Sequence, residues 1–239
     1  MRGTLGTIMT SRYSIEEEVR LYFDEGYSKT RILWGLIANA DRVINSVYIF
    51  KHFDEYCRQL NSTKQEDKLE VYWNASYDEK LIDYIKIILA FETLNKALLI
   101  KQGILIHTID NKFFNKKISR KQQDGLPITI EEFFQNNYTD LDFIKQSAVL
   151  NGLTKNLTTI SFSHTLNKNY QAIIKLDKDL VSNLKEINLK RNRLHLYSDF
   201  KGTISVKQHI DKWRHLKEIT TTIIRDELKK IDEELKNCA

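Results

Sequence analysis

Arg191 and His195 combine reactive chemistry with an unexpected position. Leu180, Leu184 and Ile187 recur at helical spacing and mark one apolar stripe. The next positions on that stripe are Arg191 and Leu194, with His195 beside them. Arg191 and His195 stand at i and i+4, which puts them on one face of a helix. Histidine titrates near neutral pH and exchanges a proton with a reacting oxygen. Arginine stays charged and presents a fork of donors to developing negative charge. The pair therefore suits acid–base chemistry at an anionic centre.

The plainer reading is architectural. Arg191 would cap carbonyls near its helix C-terminus, where a cation is favoured, or would form a buried pair with Glu92. His195 would then be a satisfied core histidine. Glu92 itself has two readings. It follows Ile88 by four residues and either pairs with Lys96 on the helix surface or faces Arg191 or His195 as a buried acid.

Arg191–Asn192–Arg193–Leu194–His195 follows a leucine-rich helix and precedes Leu196–Tyr197, and a long upstream helix carries Glu92 before Lys96–Ala97–Leu98–Leu99. In these features the chain resembles the HEPN superfamily of small helical domains, whose signature is an arginine, a polar residue and a histidine. Three residues separate Arg191 from His195, one fewer than the shortest usual spacing. The resemblance implies a metal-independent endoribonuclease or RNA-binding domain. Arg191, His195 and Asn192 would be its catalytic residues, with Glu92 and Tyr197 supporting them and Lys190 and Arg193 contacting RNA. It also implies a homodimer that brings two Arg–His sets face to face, a role in bacterial toxin–antitoxin or anti-phage defence, and a protein partner or antitoxin.

Composition sets the bounds. The chain has 239 residues, a formal net charge of +5 and a sequence pI near 9.0. That balance favours an anionic partner such as RNA. Cys57 and Cys238 are far apart and no Cys/His cluster appears, so neither a zinc site nor a disulfide framework is expected. No glycine-rich phosphate loop is present, no metal or cofactor is expected, and no apolar run is long enough to span a membrane. A cytoplasmic protein is the expectation.

One proline and eight glycines leave few helix breakers. An all-α fold follows: a single bundle of about five to seven helices over 11–239 with a basic loop insertion, residues 1–10 being a disordered leader or cloning remnant. Helices are expected near 29–60, 76–102, 130–136, 140–157, 178–196 and 205–235. The first carries Leu33, Ile37, Ala40, Ile44, Val47, Phe50 and Cys57 inward. The second carries Leu81, Ile85, Ile88, Leu94 and Leu98, capped by Ser76 and stopped by Gly103. Trp73 reads as an anchor in the loop between them. The last carries Val206, Ile210, Trp213, Leu216, Ile223 and Ile231. The insertion, 111–128, clusters Lys112, Lys116, Lys117, Arg120 and Lys121 around Phe113 and Phe114. It reads either as a solvated surface or as a phosphate-tracking patch for single-stranded nucleic acid. His52, His107, His164, His209 and His215 lack partners in local spacing and read as structural or surface residues.

Overall fold

The computed structural model describes Ile15, Glu18, Val19 and residues 27–47, 77–112, 114–138, 158–194 and 206–237. Among these lie eight helices: α1 (Tyr27–Asn45), α2 (Tyr77–Lys101), α3 (Lys116–Gln123), α4 (Ile130–Asn137), α5 (Phe162–Thr165), α6 (Lys168–Ile174), α7 (Lys178–Leu194) and α8 (Val206–Asn237). Two isolated β-bridges accompany them, and no strand or sheet does, so the described chain is all-α. No described helix is long and apolar enough to cross a membrane. Contacts divide the chain into two compact units, 1–25 with 103–160 and 26–102 with 161–239, where the sequence reading offered one domain over 11–239.

In the larger unit, α1 packs on α2 and α8. Its expected stripe is buried: Leu33, Ile37, Ala40 and Ile44, then Val47 just past the end. The helix ends at Asn45 rather than near 60, because Ser46 and Val47 fold back onto the carbonyls of Arg42, Val43 and Ile44. Lys86 of α2 donates to the Ser46 carbonyl at 2.7 Å, and Lys217 of α8 donates to the Val47 carbonyl at 2.6 Å. Cations at a helix C-terminus satisfy carbonyls that have no partner within the helix. Phe50, Cys57, His52, Trp73 and Ser76 lie outside the described residues.

α2 ends where expected, beside Gly103 in a left-handed conformation (φ 70°). Of the expected stripe, Ile88 and Leu94 are buried and Leu98 is half-buried. Ile87, Ile88, Ala90, Phe91, Leu94, Ala97, Leu99 and Ile100 are buried, whereas Ile85 is 45% exposed. At 3.6 residues per turn Ile82, Ile85, Leu89, Glu92 and Lys96 share an arc of roughly 80° on the opposite side. So many aliphatic residues in one helix let a false stripe pass through Ile85. In α8 the buried line is Leu216, Thr220, Ile224 and Ile231, with Ile223 only half-buried beside it. Lys101 of α2 pairs with Glu234 of α8 at 3.0 Å. With Lys86 and Lys217 both at the α1 terminus, α2 and α8 therefore run in the same direction.

The smaller unit centres on Ile15, Val19, Leu105, Ile109, Ile118, Ile128, Ile130 and Phe133. Thr129 caps α4, accepting from the Glu132 N–H. The segment expected as a basic loop is in part helical. Ile118, Ser119 and Gln122 of α3 are buried, which gives a short amphipathic helix enough apolar and hydrogen-bonded surface to hold. Ser119 donates to the Ile109 carbonyl at 2.7 Å, and Gln122 both donates to the His107 carbonyl and accepts from the Ile109 N–H, each at 2.8 Å. The turn after it contains Gly125 at φ 77°. Thr158–Ile160 lie along 106–108 through a bridge and two backbone bonds. The helix expected over 140–157 and the leader at 1–10 fall outside the described residues.

Candidate functional site

Asp177 starts α7 by accepting the N–H groups of Asp179 and Leu180 at 2.9 and 3.1 Å. Leu180, Leu184 and Ile187 are then buried, as the stripe required, and α7 packs against α2. The helix continues unbroken through Leu194, so Lys190, Arg191, Asn192 and Arg193 have helical backbone, Arg191 one turn beyond Ile187. The side chains of 190–194 are outside the described set, as are His195 and Tyr197.

Glu92 is engaged by Lys96, Nζ to Oε1 at 2.6 Å, with the two side chains 22% and 15% exposed. This is the i,i+4 arrangement, with both side chains partly buried. It places Glu92 on the arc away from the buried face of α2.

The cations expected to meet RNA divide into two kinds. Lys112, Lys116, Lys117 and Arg120 are exposed. Lys121 is half-buried and held by both carboxylate oxygens of Glu132, at 2.7 and 2.9 Å. Of the aromatics beside them, Phe114 packs edge-to-face on Phe133, centroids 5.1 Å apart, at the margin of the core. Phe113 lies outside the described residues.

Three features had no signal in the sequence. Glu18 is buried against His107, a pairing across 89 residues that no local pattern marks. A polar cluster fills the contact of α2, α5 and α6: Asn95 donates to Thr165 Oγ1 at 3.1 Å, and Gln171 donates to the Thr165 carbonyl at 2.7 Å. Tyr170 beside them is fully buried, its hydroxyl has no hydrogen-bond partner among the described residues, and burial pushes its phenol up to about 12. The third is a cleft of about 460 Å³ in the larger unit. Leu98, Ile174, Leu180, Ile219 and Ile223 are among its apolar lining, and Asn183 and His215 line it too. Asn183 precedes Arg191 by eight residues, about 12 Å along α7.

Comparison with protein-family models, with curated proteins and with solved structures finds no match to the chain.

Proposed function

We propose that the chain is a HEPN-like RNA-processing protein that cleaves RNA without a metal ion, in a toxin–antitoxin or anti-phage setting. The observation that supports this reading is the register of α7. Its buried line of Leu180, Leu184 and Ile187 leads one turn later to Arg191 in unbroken helical backbone. A guanidinium at a core-facing register is costly unless it has a task or a partner.

In the proposed reaction His195 takes the proton from a ribose 2′-hydroxyl. The 2′-oxygen attacks phosphorus, the 2′-O–P bond forms and the P–O5′ bond breaks, and the leaving 5′-oxygen receives a proton. Arg191 offsets the charge that grows on the phosphoryl oxygens, and Asn192 orients the phosphate. A homodimer would supply a second Arg–His set, so that one histidine acts as base and the other as acid.

A second reading, a non-catalytic module for RNA, a nucleotide or a protein partner, draws on one observation. A residue removed from a helical spacing turns the histidine by about 100°, and α7 has no break between Asn192 and Leu194 to reset that turn. Cleavage of labelled single-stranded RNA in EDTA separates the two. The nuclease reading expects cutting by the wild type and its loss in folded Arg191→Ala and His195→Ala. An inert wild type that binds RNA, with Arg191→Ala melting several degrees lower, supports the module.

A further inference from the structure

We infer that α3 is a preorganised phosphate-binding helix that reads the RNA backbone and not the bases. The inference rests on the proposed RNA partner, but not on catalysis.

The geometry of α3 is two-sided. Ile118, Ser119 and Gln122 are buried, and Lys116, Lys117 and Arg120 are exposed. At about 100° per residue the three cations span an arc of roughly 100° on the side away from the buried residues. Lys112, also exposed, precedes the helix. The helix is held from below by Ser119 and Gln122 on the 107–109 backbone. At its start the Asn115 side chain accepts from the Lys117 N–H at 2.9 Å, and the Asn115 N–H donates to Asn137 at 2.7 Å. The backbone that carries these cations is thus fixed before any ligand arrives, which lowers the ordering cost of binding.

The neighbouring groups define what the surface reads. Lys121 is neutralised by Glu132, and Asp124 closes the C-terminal end, leaving Lys112, Lys116, Lys117 and Arg120 as the cationic strip. Stacking on bases needs a free aromatic face, and Phe114 is committed to the core margin against Phe133. Among the described residues Phe114, Phe134 and Tyr138 all pack against this core, so the four cations make a backbone reader. Each phosphate neutralised on a single strand contributes about −0.7 to the slope of log affinity against log salt, so four give a slope of about −3.

The test is fluorescence anisotropy with a labelled 2′-O-methyl oligouridylate, whose blocked 2′-oxygen cannot act as nucleophile, across roughly 50–200 mM salt. Lys116→Gln/Lys117→Gln/Arg120→Gln makes the wild-type slope shallower by about 2. Lys121→Gln leaves the slope unchanged, and an oligoadenylate binds as tightly as the oligouridylate. A triple variant, folded by circular dichroism, that keeps the wild-type slope overturns the inference, as does a tenfold preference for one base. If RNA is cut in EDTA while the triple variant keeps its slope, this inference falls and the proposed function stands. If the wild type neither binds nor cuts, both fall.

Discussion

Oε2 of Glu18 and Nδ1 of His107 lie 2.5 Å apart, and both side chains are at most 2% exposed. The same carboxylate accepts the N–H of Ile106 at 2.7 Å and the N–H of His107 at 3.2 Å. Both carboxylate oxygens accept a backbone N–H, and Oε2 shares a further hydrogen bond with the ring Nδ1. Glu18 thereby fastens the early chain to the 103–160 segment at the point where 106–108 meets Thr158–Ile160.

Glu18→Ala leaves two buried N–H groups and an imidazole without their partner. Each buried donor left without a partner costs about 1–3 kcal/mol. The expected result is a lower urea midpoint together with faster amide exchange at Ile106 and His107. A loss within the range of an exposed ion pair, below about 1 kcal/mol, would contradict the assignment.

Tyr170 gives a pH prediction with a definite sign. Its phenol is raised by burial to about 12, so the folded state favours the neutral ring. The stability that this contributes is fully present below the ordinary tyrosine value of about 10 and is lost as pH rises toward the folded value. Tyr170→Phe removes a buried hydroxyl that has no partner among the described residues, so it should leave neutral-pH stability within about 1 kcal/mol of wild type. The difference between the wild-type and variant ultraviolet titrations should show one phenolate appearing near 12. A phenolate appearing at the ordinary value contradicts the burial.

The register of α2 is open to a direct contrast. Ile85 is 45% exposed and Phe91 is fully buried. Ile85→Lys should change stability by no more than about 0.5 kcal/mol, while Phe91→Ala should cost about 3–5 kcal/mol. Thermal melts of the two variants decide it, and a large loss at Ile85 would restore the stripe that passes through it.

The helices were legible in the sequence wherever their apolar residues were sparse enough to define one face. Leu33, Ile37, Ala40 and Ile44 in α1, and Leu180, Leu184 and Ile187 in α7, are buried as their spacing implied. α2 was not legible in this way, because aliphatic residues on both sides let a false stripe pass through Ile85. The helical part of the basic segment was hidden for the opposite reason: two of the three buried residues of α3, Ser119 and Gln122, are polar and are held by hydrogen bonds to a distant strip of backbone. Glu18 and His107, like Asn95 and Thr165, meet across long stretches of chain that no periodicity connects. Of the candidate site, the exposure of Lys112, Lys116, Lys117 and Arg120 follows from their charge. The loss of Lys121 to Glu132 and of Phe114 to the core depends on how α3 and α4 pack.

The central claim, that Arg191 and His195 cleave RNA through its own 2′-hydroxyl, is tested most directly by the chemistry of the product ends. Single-stranded RNA would be treated with the wild-type protein in EDTA and the fragments weighed by mass spectrometry, with a 2′-O-methylated copy of the same RNA in parallel. The account predicts fragments ending in 2′,3′-cyclic phosphate and beginning with 5′-hydroxyl, no cutting of the methylated copy, and no cutting by Arg191→Ala or His195→Ala. Fragments with 3′-hydroxyl and 5′-phosphate ends, or cutting that survives both substitutions, would contradict it.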